Sequence, residues 1–457
     1  MNLPHNSADY PQRSLSQARY RWILTILVLS IVIFRGVVSQ QALFQQALAG
    51  IEPAQKVKLP IVPTQTGAAT HQITPAEYAA LIVNSLSTPD KISQMIMIKL
   101  IGPTYSTDEI QMIQQYHVGA VIAFGDAIQS PQQVISLTSS LQKDAYLPLF
   151  IATDQEGGYA VNRLGPLVGY RPGAPQMGAA DSATVAYNDG KQTLQDFLRF
   201  GFNFNLAPVV DIQEPGINNP QLIGRLFSGN ITVITQMANS YLEGLQSSNT
   251  VIGVLKHFPG LGSSATDPHL GLPVVYKSEP ELYANEFLPY RNLIALGNVH
   301  AIMVTHEMLP EIDAKYPASL SQKIITGLLR NILGFQGLIV TDSLDMSAIA
   351  AQYPIDQAAL LAAEAGADVL MGPHTPDQVQ QIINTFTNAL HTGALTMQQI
   401  DNADIRIITQ KIEMGLIPLP KEQTPNSSPS STPAPSPTQT PGSLVGNAML
   451  VKNPFEA

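Results

Sequence analysis

Residues 251–273 read VIGVLKHFPGLGSSATDPHLGLP and combine a strand pattern with a concentration of reactive side chains. Residues 251–255 are β-branched or aliphatic with one glycine, which is typical of a buried strand. The strand ends at Lys256 and His257, and a Gly- and Ser-rich loop carries Asp267 and His269. A surface turn that happens to hold two histidines is the plain alternative. A cation, a carboxylate and two imidazoles at one strand end favour a catalytic site.

Outward from this stretch, short apolar runs recur along the chain. With the strand at 251–258 they predict eight buried strands, near Met95 and at 118–124, 147–153, 202–208, 301–305, 337–341 and 367–371. Amphipathic helices lie between most of them, for example at residues 130–143 and 321–333. This alternation predicts a single (β/α)₈ TIM-type barrel, an α/β fold, over residues 75–418. A doubly wound open sheet is the alternative, weakened because no Gly-rich phosphate turn follows an early strand.

Polar side chains follow five of the predicted strands. They are Asp154 after the third, Asp211 after the fourth, Lys256 and His257 at the fifth, His306 after the sixth and Asp342 after the seventh. An aspartate after a strand can simply cap the next helix. Because the carboxyl ends of barrel strands share one face, we expect these six groups to converge on one mouth.

Asp342 and His269 suit displacement at an acetal. A carboxylate at a strand end can attack an anomeric carbon and form a glycosyl-enzyme. The reaction also needs an acid for the leaving oxygen and then a base for water. His269 is the candidate, with Asp267 orienting its ring and tuning its pKa. Asp345 lies three residues into a predicted helix, so we expect it to point elsewhere.

Composition excludes several other classes of function. The net charge of −10 leaves no basic excess for nucleic acid. The absence of cysteine excludes disulfides, thiolate metal sites and a cysteine nucleophile. The spacing of His257 and His269 fits no compact metal motif, and the adjacent Lys256 disfavours a cation. We therefore expect neither a metal nor a cofactor.

The two ends of the chain differ in composition from the predicted barrel. Arginines precede an apolar run at residues 22–34, whose 13 residues would span roughly 20 Å as a helix. Residues 1–51 therefore predict a cytoplasmic leader followed by a signal peptide or membrane anchor. Residues 52–74 predict a linker. Residues 419–457 predict a Pro/Ser/Thr-rich tail without a fold of its own. We expect an extracytoplasmic protein, anchored or secreted, and a monomer.

Four blocks resemble the single-domain β-N-acetylglucosaminidase branch of glycoside hydrolase family 3. They are DQEGGYAVNR from Asp154, NPQLIGRLF from Asn219, KHFPG…D-x-H from Lys256, and GLIVTDSLDM from Gly337. The resemblance covers roughly three quarters of the chain, from about Pro75 to Leu416.

The resemblance implies a role for each matching residue. The family's sugar contacts fall on Asp154, Arg163, Arg225, Lys256 and His257. Its nucleophile falls on Asp342, and its acid/base pair on His269 and Asp267. It implies a retaining exo-β-N-acetylglucosaminidase acting on peptidoglycan- or chitin-derived glycans. Larger family β-glucosidases take their acid from a second domain, and here we expect it from the barrel loop.

The chain departs from the family pattern at three places. Leu261 stands where a second histidine is usual, Pro268 where serine is usual, and one extra residue precedes Arg163. A proline beside His269 stiffens its loop, so we expect altered kinetics or substrate preference. The alternatives left open are a β-glucosidase, an N-acetylglucosaminide phosphorylase of the same family, and a glycan-binding module without turnover.

Overall fold

The computed structural model describes residues 56–60 and 72–420. The predicted anchor at residues 22–34 and the tail beyond residue 420 lie outside these ranges. Within them, no helix is long and apolar enough to cross a membrane.

Eight parallel strands form the central sheet of the described chain. Neighbouring strands follow sequence order, the first strand also pairs with the last, and a parallel bridge between Val340 and Val369 closes the ring. This confirms the (β/α)₈ barrel and excludes the doubly wound sheet, whose strand order reverses. The strands are β1 Ile96–Lys99, β2 Ala120–Ile122, β3 Phe150–Thr153, β4 Phe204–Asn205, β5 Ile252–Phe258, β6 Ala301–Val304, β7 Leu338–Thr341 and β8 Leu370–Met371.

Helices surround the strands and begin at recognisable caps. The first begins at Pro75, where Thr74 and Glu77 form a capping box. The helix predicted at residues 130–143 spans Pro131–Asp144, and Ser130 caps it. The helix predicted at 321–333 forms a π-helix, Lys323–Ile332. The α-helices are α1 Pro75–Ser85, α2 Thr88–Gln94, α3 Thr107–Gln114, α4 Pro131–Asp144, α5 Gly165–Val168, α6 Ala174–Ala180, α7 Ala183–Phe200, α8 Ile231–Leu245, α9 Glu279–Ala284, α10 Leu288–Leu296, α11 Ser347–Ala350, α12 Ile355–Ala365, α13 Pro376–Thr392 and α14 Met397–Glu413.

Part of the predicted linker lies against the barrel. The backbone N–H of Val57 donates to the carbonyl of Tyr146 at 3.3 Å, and the Tyr78 hydroxyl donates to the carbonyl of Pro60 at 3.3 Å. These two hydrogen bonds attach residues 56–60 to the barrel.

A short hairpin extends from the end of β3. Its strands, Gln155–Gly157 and Val161–Asn162, are antiparallel. Gly157 has φ +77°, and a Cβ there would lie 2.1 Å from the carbonyl oxygen of Pro172. Only glycine fits this position. The close contact fixes the hairpin beside the strand ends of the barrel.

Candidate active site

One cavity at the carboxyl ends of the strands brings together seven of the eight predicted site residues. Asp267 is the exception, since it lies behind His269. The cavity is lined by Asp154, Arg163, Arg225, Lys256, His257, His269 and Asp342, together with Glu156 and a rim that includes Phe124, Leu261 and Pro268.

Lys256 lies at the centre of a buried ion-pair cluster. Its Nζ donates to Asp154 Oδ1 at 2.6 Å and contacts Glu156 Oε1 at 2.7 Å, while its side chain is only 3% exposed. Burial lowers the pKa of Lys256, but Asp154 and Glu156 raise it by a larger amount, so the net pKa lies above its usual value. Lys256 is therefore a fixed cation at the cavity wall.

Glu156 holds the second cation, Arg225, in a bidentate pair. Arg225 Nε donates to Oε2 at 2.8 Å and Nη2 donates to Oε1 at 2.7 Å. Burial raises the pKa of Glu156, but Lys256 and Arg225 outweigh it, and the pKa falls well below its usual value. The sequence places Glu156 within the DQEGG block but indicates no role for it. Its position two residues after Asp154 was the available indication.

The contacts of His257 fix its tautomer. Arg225 Nη2 lies 3.1 Å from Nε2, and a guanidinium can only donate. Nε2 therefore accepts, and Nδ1 carries the proton that it donates to Asp211 Oδ2 at 2.7 Å. Asp211 also accepts the backbone N–H of Leu261 at 3.1 Å. Asp211 thus orients a neutral His257 from behind the cavity.

Asp342 follows β7 and is held by backbone as well as by side chains. The N–H of Ser343 donates to Oδ1 at 2.8 Å, and Thr305 Oγ1 lies 3.4 Å from Oδ2. Burial raises the pKa of Asp342, but the surrounding groups, among them the Ser343 N–H and the Lys256 ammonium, lower it more, so the net pKa is below its usual value. A carboxylate ionised in this setting is suited to act as a nucleophile.

Two of the six groups expected at the mouth lie behind the cavity wall instead. Asp211 is 2% exposed and His306 is 0% exposed, and neither lines the cavity. The Nε2–H of His306 donates to the carbonyl of Ser343 at 2.9 Å, so Nδ1 accepts from Ser319 Oγ at 2.7 Å. Burial, the larger effect, lowers the pKa of His306. The expectation for these two residues was wrong because strand-end position does not fix which way a side chain points.

His269 lies on the loop across the cavity and is 60% exposed. Its Nδ1 is 3.0 Å from Asp267 Oδ1, and the same oxygen accepts the backbone N–H of His269 at 2.8 Å. Gln221 Nε2 donates to the other carboxylate oxygen at 2.5 Å. Burial raises the pKa of Asp267, but these hydrogen bonds lower it by a larger amount, so the net pKa is below its usual value. The pair is oriented so that Nε2 of His269 remains for proton exchange.

The two substituted loop positions are buried against the barrel. The carbonyl of Pro268 accepts the N–H of Ala348 at 3.2 Å, which ties the His269 loop to the segment after Asp342. Leu261 is 2% exposed and packs in a small apolar cluster with Val209 and Leu222. Apolar packing therefore occupies the position where the family's second histidine is usual.

Arg163 reaches the cavity from the hairpin. Its guanidinium lies 5.8 Å from the centre of the Phe124 ring, and its Nε has no hydrogen-bond partner among the described residues. Asp345, by contrast, does not line the cavity, as expected, and accepts from Lys99 Nζ at 2.5 Å. It lies in a turn before helix α11 rather than within a helix, so that part of the expectation was wrong. In the described ranges, no group of three or more His, Asp and Glu side chains could hold a metal ion.

Comparison with known proteins gives a consistent result. The profile described as "Glycosyl hydrolase family 3 N terminal domain" matches residues 87–410. Beta-hexosaminidase A of Pseudoalteromonas piscicida is 33% identical over 334 residues, which cover 66% of this chain but only 55% of that relative. Beta-hexosaminidase LpqI of Mycobacterium tuberculosis is 30% identical over 371 residues, covering 79% of this chain and 90% of the relative.

A solved structure shares the barrel. It is a glycoside hydrolase family 3 β-N-acetylglucosaminidase from Paenibacillus sp. str. FPU-7, with a TM-score of 0.69 and 33% identity, covering 76% of this chain and 65% of that one. The family profile alone spans more than half of the sequence. The chain belongs to glycosyl hydrolase family 3.

Proposed function

We propose that the protein is a retaining exo-β-N-acetylglucosaminidase. The observation that carries the proposal is the placement of Asp342 and His269 on one cavity together with the buried cations Lys256 and Arg225. The names of the β-hexosaminidase relatives support the acetamido sugar as substrate. Peptidoglycan- or chitin-derived glycans are the proposed source of that sugar.

The first step forms a glycosyl-enzyme. Asp342 attacks the anomeric carbon while His269 protonates the leaving oxygen through Nε2, because Nδ1 is engaged by Asp267. In the second step neutral His269 takes a proton from water, which displaces Asp342 and releases the sugar. The β configuration is retained because two displacements invert the carbon twice.

Lys256 and Arg225 hold the sugar hydroxyls in this proposal. Two of the three Lys256 N–H donors contact Asp154 and Glu156, which leaves one for a ligand among the described contacts. Arg225 uses Nε, both Nη2 donors and one Nη1 donor on Glu156, His257 and the carbonyl of Gln221, which also leaves one. Asp154 and Arg163, which also line the cavity, supply further polar contacts.

The proposed location is extracytoplasmic, either anchored or secreted. It rests on the arginine-flanked apolar run at residues 22–34. Nothing in the cavity requires a cofactor in this mechanism.

Release of p-nitrophenol from the β-N-acetylglucosaminide and the β-glucoside, with and without phosphate, tests the function. Faster turnover of the acetamido sugar, unaffected by phosphate, is the expected result. Preference for the glucoside would reassign the substrate, and a sugar 1-phosphate product would indicate phosphorolysis. Sugar binding without any turnover would indicate a glycan-binding module instead of an enzyme.

A further inference from the structure

The two cations of the cavity wall depend on one carboxylate. Glu156 contacts Arg225 through both oxygens and Lys256 through Oε1, at 2.7 to 2.8 Å. Lys256 also donates to Asp154, and Arg225 donates to His257, which in turn donates to Asp211. Glu156 is therefore the central link of one hydrogen-bonded chain that runs across the wall.

The position of Glu156 is itself fixed by backbone. It lies in the hairpin strand Gln155–Gly157, directly before the glycine that packs on Pro172. The N–H of Gln155 donates to Asn205 Oδ1 at 3.0 Å, which attaches the hairpin to β4. The Glu156 side chain is 6% exposed, so solvent does not compete for its carboxylate oxygens. A rigid carboxylate can hold two long cationic side chains in one geometry.

We propose that Glu156 is a positioning residue that aims the last N–H of Lys256 and of Arg225 at the sugar. This inference rests on the proposed function, and Glu156 acts through the two cations. Without it, Lys256 would keep Asp154 as its partner, but Arg225 would keep only the Gln221 carbonyl and His257. The guanidinium plane would then be set by neutral partners alone.

Substitution distinguishes the charge of Glu156 from its reach. In Glu156→Gln an N–H₂ group must face Arg225 or Lys256, so a donor meets a donor. In Glu156→Asp the charge remains, but the side chain is one methylene shorter and cannot reach both cations equally well. We expect kcat/KM to fall about 10²-fold in Glu156→Gln, mainly through a higher KM, and less in Glu156→Asp.

The chain offers a matched control in Arg171 and Asp196. This pair is also bidentate, at 2.8 and 3.0 Å, and the Asp196 side chain is 7% exposed, but neither residue lines the cavity. Asp196→Asn removes an ion pair of the same form from the same protein. We expect its kcat/KM to stay within about threefold of the wild type, because the Arg171 and Asp196 side chains pair with each other and neither residue lines the cavity.

The experiment measures kcat, KM and melting temperature for the full-length wild type and the three variants, with calorimetric binding of N-acetylglucosamine. A raised KM and weaker sugar binding in folded Glu156→Gln, with Asp196→Asn unaffected, is expected. Sugar binding within threefold of wild type in Glu156→Gln, or an equal loss in Asp196→Asn, would overturn the proposal. If Glu156→Gln does not fold, an unchanged KM in Glu156→Asp would overturn it. A wild type that binds the sugar without turnover would remove the proposed function, and the binding arm would still test Glu156.

Discussion

The wall of the cavity and the loop opposite differ in how firmly their groups are held. Lys256 is 3% exposed and bonded to two carboxylates, whereas His269 is 60% exposed and its ring is oriented by one. The wall therefore presents donors in a fixed geometry, and the loop presents a proton-exchanging group in contact with water. We infer that substrate recognition resides in the wall and proton transfer in the loop.

Removing the proposed nucleophile should give the largest effect. We expect Asp342→Ala to lower kcat by about 10⁴-fold or more, since the covalent step loses its attacking carboxylate. Steady-state assay of the acetamido substrate checks this. Asp345→Asn is the matched control, because Asp345 lies three residues on and pairs with Lys99 outside the cavity. An equal loss in the control would show that the substitutions act on the fold.

Removing the proposed acid/base residue on the loop should give a smaller effect that depends on the leaving group. We expect His269→Ala to lose about 10²- to 10⁴-fold on a poor leaving group such as a sugar. The rate of the first step should fall much less when the leaving group is dinitrophenol, which departs without protonation. Burst and steady-state rates on both substrates measure this. A loss independent of the leaving group would exclude the assigned role of His269.

Two buried carboxylates should give opposite pH dependence of stability. The pKa of Glu156 is lowered, so its stabilisation is present above an unfolded value near 4.5 and is lost as pH falls below it. Glu307 follows His306 after β6 and is 1% exposed. Burial, Asp211 and Glu286 raise its pKa well above 4.5 and Lys277 opposes them only in part, so wild-type stability should fall as pH rises past 4.5.

Melting curves between pH 3 and pH 8 compare these two directions. The gap between wild type and Glu156→Gln should widen as pH rises towards the unfolded value of 4.5 and then stay constant. The melting temperature of Glu307→Gln should rise relative to that of the wild type as pH increases beyond 4.5. Parallel slopes for the two variants would contradict the assigned ionisation states.

Restoring the usual loop residue should give the smallest effect. Pro268→Ser frees the backbone φ but keeps Asp267, His269 and the Pro268 carbonyl contact with Ala348. We expect kcat to change by less than about tenfold, since acid/base catalysis itself is retained. Comparison of kcat and KM on the glucoside and the acetamido sugar measures it. A 10³-fold change would assign the loop backbone a larger role.

The barrel was predictable because apolar runs of strand length recur with helices between them. The same runs placed Asp154, Lys256 and Asp342 at one end, and the cavity brings these residues together. Gln221, which donates to Asp267 across 46 residues of sequence, could not be predicted, since periodicity contains no information on side-chain pairing. The contacts of Glu156 could not be predicted for the same reason, although it lies within the DQEGG motif.

Trapping the glycosyl-enzyme tests the central claim most directly. His269→Ala, mixed with a dinitrophenyl β-N-acetylglucosaminide, should form the intermediate quickly and hydrolyse it slowly. Intact-mass spectrometry should then show one added N-acetylglucosaminyl group, and peptide mapping should place it on Asp342. A label on another residue, or substrate turnover with no adduct at any time, would contradict Asp342 as the nucleophile.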